Sequence, residues 1–180
     1  LTSNNSNTTF QMADETLPTY GDFDPWNGHP DALWAHGIFG GLTIPEAIQK
    51  YRERPDVYQE AFMFMGDKAF AYYFPVLEDF VYSCPDLTCE KEDWEDPCAW
   101  ILAHGIKAHF DGSGHQAVQH LAERIIELAR FVQNNLHRFE PDSLDVYGVH
   151  GPHSVSDAWA ELVETVQSHQ NPPSISGDDK

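Results

Sequence analysis

Positive charge is scarce in this chain. Its 180 residues hold 10 Lys and Arg against 29 Asp and Glu, a formal net charge of −19 at neutral pH. Recognition of phosphates needs clustered cations, so the composition argues against nucleic acid as a partner. The same deficit argues against docking on an anionic membrane. Two readings of the acidity remain. It makes a soluble, self-repelling surface, or it offers an acidic face to a basic protein.

Long apolar runs are also missing. No stretch approaches the ~20 residues that cross a bilayer, so no membrane partner is expected. The opening LTSNNSNTTF has neither a basic n-region nor an apolar h-region. Asn4-Asn5-Ser6 and Asn7-Thr8-Thr9 match the glycosylation sequon, but they do so in a polar tail where the match is accidental.

Cysteine is sparse and odd in number. Cys84, Cys89 and Cys98 close no complete disulfide framework. Cys84 can pair with Cys89, or all three stay reduced inside a cell, and a cytoplasmic location is favoured. Their C-x4-C spacing differs from the tighter C-x2-C of structural zinc sites. Runs of strand periodicity and internal repeats are absent. No catalytic signature is recognisable, and the sequence leans away from an enzyme.

What the chain does have is rings. Nine of the 25 residues from Tyr58 to Tyr82 are aromatic. Side chains of that size dominate cores and interfaces, so the segment is the centre of a fold or of a surface that meets a partner.

The pattern predicts an all-α protein of six or seven helices around one aromatic-rich core. Residues 1–20 read as a flexible arm, 21–169 as a single helical domain and 170–180 as a flexible tail. Pro30 to Phe39 predicts a short helix that buries Leu33, Trp34 and Ile38. Thr43 to Glu46 is a capping box with proline in the first turn, and Arg54-Pro55 ends that helix. Pro55 to Met65 predicts another. Gly66-Asp67 is a stop followed by a new N-cap, and Phe70, Tyr73, Phe74, Leu77, Phe80 and Val81 form the next stripe. Pro75 interrupts that stripe and predicts a kink or a fresh start. Cys98 to Phe110 follows. His115 to Phe139 predicts one long central helix, about 37 Å from end to end, with Glu123 and Glu127 paired along it to Arg124 and Arg130. Glu140 to His153 reads as a long connection, and Ser154 as the cap of a final helix burying Trp159, Leu162, Val163 and Val166.

Phe70-Ala-Tyr-Tyr-Phe-Pro75 resembles the F-x-Y-Y-[LF]-P motif of small uncharacterised bacterial helical proteins. The likeness covers eight residues, to Leu77. It implies a helical domain with Pro75 inside or at the start of a helix, and it transfers no activity.

Four groups of residues are candidate sites. The acidic stretch Asp86, Glu90, Glu92, Asp93, Glu95 and Asp96 surrounds Trp94. That ring is either tucked onto the core or offered to a partner, where tryptophan is favoured. Tyr72 and Tyr73 point about 100° apart on a helix, so one can be core while the other reaches a groove. His104, His109, Asp111, His115 and His120 form a dense cluster, read as solvated helix ends or as a divalent metal site. Residues five apart sit about 140° apart around a helix, so only the Gly-rich break can gather His109, Asp111 and His115. Asp111, Ser113 and His115 are triad residue types, but closeness in sequence does not make a triad. His150 and His153 belong to a turn, and Trp26 and Trp34 are expected in the core.

These features point to a non-catalytic, acidic protein-binding module, immunity- or inhibitor-like toward a basic partner, with no cofactor. The alternative is a metal-dependent hydrolase or small-ligand binder built on His104 to His120. A structural subunit that packs its aromatic segment against its own copy is a third.

Overall fold

A computed structural model of the chain describes residues 16–83, 99–112, 115–139 and 154–170. Among these residues the regular structure is entirely helical. The first helix, α1 (Tyr20–Phe23), is a single turn. Next come α2 (Pro30–Phe39) and α3 (Ile44–Glu53). The short turns α4 (Pro55–Tyr58) and α5 (Ala61–Phe64) lead into α6 (Asp67–Ser83). The remaining long helices are α7 (Ala99–Asp111), α8 (Ala122–Asn134) and α9 (Val155–Gln170).

One contiguous core joins these elements. Phe70, Tyr73, Phe74, Leu77 and Phe80 of α6 lie buried at its centre, with Phe23, Phe39, Tyr51, Phe62 and Trp159 around them. Helix α6 packs against α1, α3 and α8, while α9 lies across α7 and α8. The aromatic segment is therefore the heart of the fold.

Capping chemistry sets several boundaries. Thr43 and Glu46 form the reciprocal box that opens α3, with Thr43 N–H donating to Glu46 Oε2 at 2.8 Å. Thr19 and Asp22 repeat it at α1. The Ser154 hydroxyl accepts from Asp157 N–H at 3.2 Å, one turn into α9. Helix α3 ends at Glu53, one residue short of Arg54-Pro55.

Several expectations need correction. The long helix at 115–139 is not continuous. Its α-helical part is Ala122–Asn134, flanked by 3-10 turns at His115–Ala117, Gln119–Leu121 and Leu136–Arg138. Asn135 leaves the α region at φ −129°, and its amide Nδ2 donates to the Phe131 carbonyl at 2.7 Å. Asparagine thereby competes with the helical ladder and ends it. The buried stripe Val118, Leu121, Ile125, Leu128 and Val132 persists through the change of helix type. Nor does Arg124 pair along its own helix; its guanidinium grips Glu78 of α6 with two hydrogen bonds, one of 3.0 Å.

Of the two outcomes expected at Pro75, a kink or a fresh start, the fresh start does not occur. Helix α6 runs through it from Asp67 to Ser83. An interior proline costs about 3 kcal/mol. Burying Phe74, Val76, Leu77 and Phe80 on either side recovers roughly 1.5–3 kcal/mol for each large side chain, so packing wins.

Pro55 to Met65 is two single turns separated by Gln59 and Glu60 rather than one helix. Helix α2 forms where expected but is turned around its axis. It buries Ala32, Ala35 and Phe39, and leaves Leu33 and Trp34 each 38% exposed.

Candidate functional site

The histidine cluster does not converge. His109 is buried near the end of α7 and stacks on Phe70 with centroids 3.9 Å apart. Its Nε2 meets the Phe62 carbonyl at 2.6 Å, and its Nδ1 meets Asp67 Oδ1 at 2.7 Å. A carbonyl only accepts, so Nε2 is the donor to Phe62, and Nδ1 faces the Asp67 carboxyl group. Both ring nitrogens are thus engaged within the protein, and His109 is a core residue rather than a solvated helix end.

The other members stand apart. His104 packs edge-on against Trp100, and Asp111 takes the Lys107 ammonium at 2.8 Å. His115 meets the Gly112 carbonyl at 3.2 Å and lies against the His169 ring. His120 lines a groove beside α6. Among the described residues, no three His, Cys, Asp or Glu side chains stand where one metal ion would be held.

The two tyrosines divide as adjacent helical residues must. Tyr73 is fully buried, and its hydroxyl lies 2.6 Å from the Phe39 carbonyl and 2.9 Å from that of Leu42. Burial pushes this phenol well above its ordinary range, with the neighbouring Tyr72 adding to the effect. Tyr72 lines the groove instead, together with Asp22, Lys68, Ala71 and His120. That groove holds about 300 Å³ and is open to solvent, with both charge signs on its walls.

Sequence reasoning placed Trp26 and Trp34 in the core, and the structure overturns this. Trp26 is 62% exposed, and Tyr20 and Leu17 nearby are also exposed. The reason lies in the loop before α2. The nearly buried Asp24 carboxylate accepts from the backbone N–H groups of Gly28 and His29. Asn27 and Gly28 take φ values of 61° and 116°, which close the turn and leave Trp26 projecting. Trp26, His29, Met63 and Phe64 enclose a second groove of about 230 Å³.

Six of the cations among the described residues pair with carboxylates of the same chain. Arg52 pairs with Asp79 at 2.6 Å, Lys50 with Glu53 at 2.7 Å and Arg54 with Asp56 at 3.0 Å. Lys68 reaches Asp22 at 3.5 Å, and Lys107 reaches Glu161 at 3.4 Å as well as Asp111. Arg124 is taken by Glu78. The Arg54 guanidinium holds the Asp56 carboxyl below the usual carboxylate range, and the Asp111 carboxylate raises Lys107.

The acidic stretch Asp86, Glu90, Glu92, Asp93, Trp94, Glu95 and Asp96 lies outside the described residues, as do Cys84, Cys89, Cys98, Ser113, His150 and His153. No helix among the described residues is long and apolar enough to cross a membrane. No protein family, curated protein or solved structure matches this chain.

One signal in the sequence pointed to what was missed. His109 falls three residues after Ile106 and seven after Leu102, on the stripe that α7 buries. Helix α2 is apolar on both sides, so periodicity alone could not say which side turns inward.

Proposed function

We propose that this domain is a non-catalytic protein-binding module for a basic partner, acting in the manner of an immunity or inhibitor protein. The observation that carries the reading is how the scarce cations are used. Lys50, Arg52, Arg54, Lys68, Lys107 and Arg124 each reach an acid of the same chain. Against 29 acids, that leaves a surplus of negative charge with few cations of its own to answer it. Such a field speeds encounter with a positively charged surface and repels acidic ones.

The test is the salt dependence of association with a recovered partner, followed by stopped flow. The partner should be basic, and the association rate should fall steeply as ionic strength rises, since charges are screened beyond about 10 Å at 0.1 M. An acidic partner, or a rate indifferent to salt, removes the proposal.

A further inference from the structure

Helix α2 has two apolar sides, and the fold uses one of them. Ala32, Ala35 and Phe39 face the core. Pro30, Leu33, Trp34 and Gly37 are all exposed, and they follow the i, i+3, i+4, i+7 spacing of a single stripe on the opposite side. A helix that is apolar all round is ordinarily covered all round. Trp26 in the preceding loop is exposed as well, and its ring lies against His29, centroids 5.7 Å apart, which stands one turn before Leu33 on the same side of the helix. Large apolar side chains grouped on a surface mark a place where another molecule binds.

Charge selects the occupant. Asp31 is the only carboxylate on α2, and the helix carries no Lys or Arg. A second copy would bring another Asp31 and no cation, on a chain already at −19. The His29 ring stands 4.0 Å from Asp31, and a partner with Lys or Arg beside its apolar residues would give that carboxylate a permanent cation, while further cations could lie over the indole faces of Trp26 and Trp34. Gly37 sets the shape. A methyl group built there meets nothing within 4 Å, so another backbone has room to come close. Packed helices lie about 8–10 Å apart depending on the side chains at the contact, and small residues favour the near end of that range.

We infer that the outer stripe of α2, with Trp26, is the docking face of this protein, and that it receives an amphipathic helix with basic residues flanking its apolar stripe. This rests on the basic-partner reading and adds to it the place and the form of the contact.

The experiment uses the full chain and two fluorescent helical peptides of one pattern, Leu/Lys and Leu/Glu, read by anisotropy. The Leu/Lys peptide should bind saturably. Leu33→Ser with Trp34→Ser should weaken binding about tenfold or more, with helical circular dichroism unchanged. Trp26→Ser, in a loop, provides a second test that leaves α2 intact. Tyr82→Ser, on another exposed ring, should bind like the parent. Equal Leu/Lys binding by the parent and the α2 and Trp26 variants overturns the docking face while leaving the basic-partner reading standing. Binding of neither peptide, or preference for Leu/Glu, overturns both. A parent that sediments as a dimer, with a double variant that does not, gives the face to a second copy and overturns the inference.

Discussion

His109 Nδ1 stands 2.7 Å from Asp67 Oδ1, while the other ring nitrogen is 2.6 Å from the Phe62 carbonyl. One imidazole therefore joins the first residue of α6, a backbone group of α5 and the last turn of α7. Its ring also fills space against Phe70. The side chain is only 4% exposed, so water does not compete for these partners.

His109→Ala is accordingly expected to cost about 3 kcal/mol of unfolding free energy. It leaves a buried carbonyl unpaired, strips Asp67 of its partner and opens a cavity. Urea unfolding followed by far-ultraviolet dichroism measures this. A loss below about 1 kcal/mol would mean that the junction contributes little.

Two glycines should respond in opposite directions. A Cβ on Gly66 would fall 2.4 Å from the Asp22 carbonyl oxygen and 2.8 Å from Pro25 Cδ. The backbone bond from Gly66 N–H to the Phe23 carbonyl, 2.8 Å, holds that approach in place. Gly66→Ala should destabilise by about 2–3 kcal/mol. Gly37→Ala meets no obstacle and should stabilise α2 by about 1 kcal/mol. The two urea midpoints should shift in opposite senses.

Pro75→Ala tests whether packing carries α6 through its interior proline. Alanine restores the missing N–H, but it also frees the unfolded chain. The gain of about 3 kcal/mol is offset by roughly 0.4–1 kcal/mol, so a net stabilisation near 2 kcal/mol is expected. An unchanged or lower midpoint would show that the surrounding core requires the proline ring.

Acid should weaken the protein through its caps. Hydrogen bonds from Thr19 and Thr43 hold Asp22 and Glu46 below the usual carboxylate range, and Arg54 does the same for Asp56. A carboxyl that is more acidic folded than unfolded stabilises the fold above its unfolded pKa. That contribution is lost as pH falls through the lower, folded value. Stability should therefore drop as pH goes below about 4. Thr19→Val with Thr43→Val should flatten that limb, as read from urea midpoints at successive pH values.

The helical class and aromatic core were legible because they depend on local rules. Thr43, Pro45 and Glu46 carry a complete N-terminal signal, and Arg54-Pro55 carries the stop. The orientation of α2 was not legible, because two opposing apolar stripes satisfy the same periodicity. Only the fit of Ala32, Ala35 and Phe39 against α5 decides between them. The end of α8 turned on one amide side chain, Asn135, competing for a carbonyl. Of the candidate sites, the separation of Tyr72 from Tyr73 followed from helical geometry. The engagement of His109 depended on Asp67 and Phe62, more than forty residues away in the chain.

The indole N–H of Trp159 donates to the Ala99 carbonyl at 3.0 Å, and α9 covers both α7 and α8. During synthesis, then, α7 and α8 emerge before the segment that shields them. Their greasy sides stay wet until Trp159 clears the ribosome tunnel. A nascent chain stalled short of Val155 is the form most apt to be held by chaperones or cut by proteases.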